Sequence, residues 1–145
     1  MSVDRSFFDT NVLVYIFDQD SPAQQARARE IFEEHARTGL LTLSPQVLQE
    51  FYVTVTRKLA RPLSPEAALA AVTHLNTFPL VPVDGGTILR AVQLHQSATL
   101  SFWDAMIVQV AMEGNCKKVF SEDMQNGRRF GEMVIVNPFA NGSGS

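Results

Sequence analysis

Strand-like apolar runs alternate with helical segments along almost the whole of this chain. That alternation predicts an α/β fold, a three-layer α/β/α sandwich with a central parallel sheet. Arg5-Ser6-Phe7-Phe8-Asp9 reads as a short strand ending in an acid, and Val12-Leu13-Val14-Tyr15-Ile16-Phe17 starts a helix or turn behind it. Three helices should begin alike at Ser21-Pro22, Ser44-Pro45 and Ser64-Pro65, where serine can cap and proline fits the first helical position. Behind them Ala28, Ile31, Phe32 and His35, then Leu48, Phe51, Tyr52, Val55 and Leu59, then Ala68, Ala71, Val72 and Leu75 recur at helical spacing, so each helix has one face to bury. Leu80-Val81-Pro82-Val83 reads as a strand, its proline favouring an edge or an end. Asp84-Gly85-Gly86 then turns the chain into a helix carrying Ile88, Ala91, Val92 and His95.

Residues 102–112 are apolar on nearly every side. Trp103, Met106, Ile107, Val110 and Ala111 form one stripe, and Ala105, Val108 and Met112 another, which predicts a central, buried helix. Lys117-Lys118-Val119-Phe120-Ser121 and Glu132-Met133-Val134-Ile135-Val136 read as the last two strands.

At 145 residues the chain has the size of one domain, expected over residues 1–140, and 141–145 (Asn-Gly-Ser-Gly-Ser) has the chemistry of a flexible tail or fusion remnant. Its 46% hydrophobic and 19% charged residues are ordinary globular values, and no apolar run approaches the roughly 18 residues that cross a bilayer. The N-terminus lacks the features of a secretion signal, so a cytoplasmic location is expected. A single cysteine, Cys116, permits neither an internal disulfide nor a cysteine-based zinc cage. The net charge of −3 does not announce a polyanion binder, so any nucleic-acid contact has to be argued locally.

In a parallel sheet, sites gather beyond the carboxyl ends of the strands, which singles out Asp9, after Phe7-Phe8, and Asp123, after Val119-Phe120-Ser121-Glu122. Each could equally be a helix cap or turn former. Asp104 stands in the first turn of the most apolar helix. Ser101-x-x-Asp104 is a capping-box pattern, yet no basic residue lies within a helical turn to pair with the carboxylate. Glu50 flanks the apolar stripe of its helix, where a solvated glutamate is the usual explanation. Asp18, Asp20 and Asp84 read as loop or cap residues, and Glu30, Glu33, Glu34, Glu66 and Glu113 as solvated helix faces.

Were Asp9, Glu50, Asp104 and Asp123 to converge, two carboxylates roughly 4 Å apart would repel by about 4 kcal/mol at an effective dielectric of 20. A hard cation resolves that conflict, and oxygen-only ligands suit magnesium or manganese rather than zinc. His35, His74 and His95 occupy separate helices and read as packing or surface residues.

These residues together resemble the PIN-domain ribonucleases, and within them the VapC-type toxins of VapBC toxin–antitoxin systems, over nearly the whole chain. Phe8-Asp9-Thr10-Asn11-Val12-Leu13 is similar to the family's opening Asp-x-Asn strand end, and Ser44 to Phe51 to its acid-bearing helix. Leu100-Ser101-Phe102-Trp103-Asp104-Ala105-Met106-Ile107 is similar to its third motif, and Val119-Phe120-Ser121-Glu122-Asp123-Met124-Gln125 to its fourth. The resemblance implies a PIN-like fold in which Asp9, Glu50, Asp104 and Asp123 are the catalytic, metal-binding acids and Asn11 and Ser121 orient them. It favours Asp123 over the adjoining Glu122.

The activity so implied is Mg²⁺-dependent hydrolysis of RNA, with Mn²⁺ as substitute, leaving a 5′-phosphate and a 3′-hydroxyl. The resemblance also implies a homodimer and an antitoxin protein partner that covers the acidic groove. Arg57, Lys58 and Arg61, at the end of the Glu50 helix, and Arg128-Arg129 are the candidate RNA contacts, although solubility and helix-end charge explain them as well. The other readings are a PIN nuclease that is not a toxin and a non-catalytic PIN-like RNA-binding or interaction module, whose usual mark is loss of the acids. A phosphatase of the haloacid dehalogenase type would need an aspartate where this chain has Asn11.

Overall fold

The computed structural model describes residues 4–140. The tail expected at 141–145 lies outside the described residues. The elements run β1 (Arg5–Phe8), α1 (Thr10–Tyr15), α2 (Pro22–Thr38), β2 (Leu41–Thr42), α3 (Pro45–Arg57), α4 (Pro65–Leu75), α5 (Gly85–Ser97), α6 (Phe102–Glu113), β3 (Cys116–Phe120), β4 (Arg129–Phe130) and β5 (Met133–Val136). Five strands form one sheet in the order β2-β1-β3-β5-β4. β1 is parallel to β2 and β3, and β3 to β5; β4 alone runs antiparallel, beside β5.

Successive residues of a strand point to opposite faces, and in β1 both Phe7 and Phe8 are fully buried, so helices cover both faces of the sheet. α3 buries Val47, Phe51 and Val55 in that core, and α6 buries Ala105 to Val108, Val110 and Ala111. No helix among the described residues is long and apolar enough to cross a membrane.

Proline occupies the first position of α2, α3 and α4, as expected. Ser44 and Ser64 cap their helices by accepting from the backbone N–H of Val47 and Ala67. Ser21 does not cap; its hydroxyl donates instead to Asp18 (3.1 Å).

The sheet departs from expectation in three places. β2 has two residues, too few to show any periodicity, yet Leu41 and Thr42 are buried beside β1. Residues 80–83 are no strand. Leu80 makes a single bridge to Leu43, and Pro82 has no N–H with which to continue a ladder. The sheet is also not wholly parallel, because the β4–β5 hairpin turns tightly at Gly131, whose φ of 62° suits glycine.

Candidate active site

β1 and β3 are parallel neighbours, so their carboxyl ends lie side by side and place Asp9 next to Ser121, Glu122 and Asp123. Asp9 is the N-cap of α1, its Oδ1 accepting from the Thr10 N–H (2.8 Å). Its Oδ2 accepts from the buried Ser121 hydroxyl (2.8 Å), which in turn accepts from the Asp123 N–H (3.2 Å). The Asn11 amide spans both strand ends. Its Nδ2 donates to Asp123 Oδ2 (2.9 Å) and reaches Asp9 Oδ2 (3.5 Å), while its Oδ1 accepts from the Glu122 N–H (3.1 Å). The Glu122 side chain accepts from the Tyr15 hydroxyl (2.8 Å), and burial with this carboxylate holds the phenol up at about 12.

Glu50 approaches from α3. Its Oε1 accepts from the Thr10 hydroxyl (2.9 Å) and its Oε2 from Gln46 Nε2 (3.4 Å). Asp104 stands in the first turn of α6, where the Ser101 hydroxyl caps the helix by accepting from the Asp104 N–H (3.1 Å). Asp9, Glu50, Asp104 and Asp123 line one cavity of about 690 Å³ together with Asn11, Lys58 and Trp103. Ser121 lies beneath it, fully buried.

None of the four acids joins a salt bridge among the described residues. Burial, opposed by the Ser121 and Thr10 hydrogen bonds and reinforced by the charges of Asp123 and Glu50, pushes the Asp9 carboxyl up from 3.8 to about 6. Burial likewise raises Asp104, opposed by Ser101 and reinforced by Asp123 and Glu50. Among the described residues no three His, Cys, Asp or Glu side chains converge into a ready-made metal cage. A hard divalent cation does not need one, since Mg²⁺ keeps several waters and takes one or two protein carboxylates. An all-oxygen donor set whose innermost member is destabilised by its own charge fits such an ion.

The candidate RNA contacts separate. Lys58 lines the cavity; Arg57, Arg61, Arg128 and Arg129 do not. Arg61 pairs with Asp20 (3.5 Å), and Arg128 donates to the Thr99 carbonyl (2.8 Å) and lies over the Phe130 ring. Arg57 and Arg129 are exposed elsewhere.

Two residues of the site had not been singled out. Thr10 ties the start of α1 to Glu50, and Trp103, expected in the core, is 62% exposed on the cavity wall. Thr10 lay inside the Asp-Thr-Asn triplet and could have been suspected; hydrophobic periodicity could not separate Trp103 from the core.

The sequence from residue 6 to residue 129 matches the family model of the PIN domain. The chain belongs to the PIN-domain family. That span contains Asp9, Glu50, Asp104 and Asp123 and ends as β4 begins. No curated protein matches the sequence. Solved structures similar to this PIN domain include a toxin–antitoxin complex from Klebsiella pneumoniae, with 19% identity and a TM-score of 0.69 over 92% of this chain and 98% of that one. VapBC from Salmonella typhimurium bound to DNA aligns at 18% identity and a TM-score of 0.65, over 92% and 97%. VapC20 from Mycobacterium tuberculosis, a toxin that cleaves the sarcin–ricin loop, aligns at 19% identity and 0.64, over 81% and 91%. At these identities the likeness is one of fold.

Proposed function

We propose that this PIN domain is a metal-dependent endoribonuclease of the VapC kind, the toxin of a type II toxin–antitoxin pair that acts in the cytoplasm. The observation that carries the reading is that Asp9, Glu50, Asp104 and Asp123 line one open cavity and that none of them joins a salt bridge among the described residues. Similarity of fold to VapBC assemblies supports an antitoxin as partner, and a homodimer is part of the same proposal.

Asp9 and Asp123 would be the principal metal ligands, with Asp104 and Glu50 completing the acidic wall. Mg²⁺ or Mn²⁺ held there would supply Lewis acidity toward the scissile phosphate, charge neutralisation between phosphate and carboxylates, and a lowered pKa for a bound water. The chain's own residues arrange that chemistry. Ser121 and the Thr10 N–H fix the two Asp9 oxygens, Asn11 fixes Asp123, and Thr10 fixes Glu50. Attack by water in line with the leaving 3′-oxygen breaks the P–O bond and leaves a 5′-phosphate and a 3′-hydroxyl.

The test is cleavage of a labelled RNA panel by the purified chain in Mg²⁺, Mn²⁺ and EDTA, beside Asp104→Asn. Cutting that needs metal and is lost in the variant is the expected result. Cutting that persists in EDTA or in the variant would overturn the assignment, and a folded chain that binds RNA without cutting any would make it a binding module.

A further inference from the structure

We infer that Trp103 is the nucleobase platform of this site, stacking on an unpaired base next to the scissile phosphate and so restricting cleavage to unpaired RNA. The inference rests on the nuclease reading above and adds a specificity-determining residue to it. Most of the apolar surface of α6 is buried, but Trp103 is 62% exposed on the cavity wall. Exposed leucines such as Leu69 and Leu89 stand elsewhere on the surface, whereas the Trp103 indole borders the acidic cavity.

The ring is held in place. Trp103 belongs to the first turn of α6 and packs edge-on against Phe102 (centroids 5.1 Å apart), which itself meets His95 (6.4 Å). Its neighbour Asp104 lines the same cavity, which places the ring and a carboxylate of the site on one wall. Tyr15 is the other aromatic residue of the cavity lining, and it is already engaged, its ring against Phe139 (4.8 Å) and its hydroxyl on Glu122. Val53, from α3, is half exposed in the same lining, and Lys58 supplies a cation for the backbone. An aromatic face, a cation and a carboxylate set in one cavity suit a nucleotide better than a protein segment. A base inside a duplex has both faces covered by its neighbours, so such a platform accepts unpaired nucleotides.

Trp103 is the chain's single tryptophan, so its fluorescence reports this ring alone. Adding an unstructured RNA decamer in Mg²⁺ should quench that emission, and a duplex of the same sequence should not. In steady-state cleavage Trp103→Ala should raise KM by about 5- to 150-fold with kcat little changed, the loss expected for one base–aromatic stack, and Trp103→Phe should restore most of it. Because the ring is exposed, both variants should keep the wild-type circular dichroism. RNA cut with unchanged KM and no quench would overturn the inference while leaving the nuclease intact, and would turn the ring toward a protein partner. Should the chain cut no RNA, the quench decides alone: present with unpaired RNA it supports the platform, absent it removes it.

Discussion

Helix α6 carries an acidic site at each end, and the two are built on opposite principles. At its last residue, Glu113 accepts from Arg90 Nε (2.7 Å), Gln109 Nε2 (2.8 Å) and the Thr87 hydroxyl (2.9 Å), and the Arg90 bond leads in holding its carboxyl down at about 2. At its first turn Asp104 faces the cavity of Asp9, Glu50 and Asp123, where burial and like charges push the Asp9 and Asp104 carboxyls up and the described residues provide hydroxyls and amides but no ion-paired cation. Where an acid serves the fold, the chain supplies its counter-charge. In the cavity the chain positions its acids with neutral donors, the arrangement that the proposed cation from solution would complete.

The largest effect should come from Asp9→Asn. Its cleavage rate should fall by about 100-fold or more, as when a group aimed at the reacting centre is removed, yet in EDTA the variant should be more stable than the wild type. The sign follows from linkage. With a folded pKa of about 6 against 3.8 unfolded, Asp9 is protonated in both states below pH 4 and imposes no penalty there. As pH rises the unfolded chain ionises first, and the penalty is complete only above about pH 6, at up to about 3 kcal/mol. Denaturant melts of both proteins at pH 4 and pH 8 in EDTA should therefore diverge only at the higher pH. Equal stability at pH 8, or a less stable variant, would erase the contrast with Glu113.

Ser121→Ala should have the next largest effect. Ser121 is fully buried and bridges the two strand ends, donating to Asp9 Oδ2 and accepting from the Asp123 N–H. Removing an outer partner of a metal ligand typically costs about 10- to 100-fold in metal affinity or activity. The Mg²⁺ concentration for half-maximal cleavage should rise accordingly, and a response no different from wild type would mean that Asp9 is oriented without it.

At the other end of α6, Glu113→Gln should cost about 1 kcal/mol of stability and leave cleavage within about twofold, because Arg90 is half exposed and solvent screens the pair. Its pH dependence is the reverse of Asp9's. Glu113 stabilises above its ordinary 4.5 and loses that contribution as pH falls toward 2, so the variant should differ least from wild type in acid. Glu113 had been read as a solvated helix face; its partners Arg90 and Thr87 sit on α5, 23 and 26 residues away, beyond the reach of a local pattern.

That distance marks where the sequence is legible. Asp9 and Asp123 could be read because an acid closing a short apolar run is a local feature, and a parallel sheet assigns it a place. Glu50 could not be told from any other surface glutamate by its helix alone and stood out only through the motif it resembles. The three Ser-Pro starts located helices because capping is local, although Ser21 turned to Asp18 instead. β2 and β4, two residues each, exist only through their partners. Trp103 fails for another reason: periodicity measures which side of a helix is apolar and cannot distinguish a core from the wall of a cavity.

The smallest effect should separate cations that the sequence left equal. Lys58 lines the cavity with no ion-pair partner among the described residues, whereas Arg61 is spoken for by Asp20. Lys58→Glu should weaken RNA binding severalfold and flatten the slope of log affinity against log salt by about 1, the signature of one lost phosphate contact. Arg61→Glu should change that slope by less, because what it first disrupts is a pair within the protein. Equal slopes for the two variants would mean that RNA runs over the outer end of α3 and past the cavity. The acidic cluster would then draw its substrate through bound metal alone, with no help from the chain's own charge.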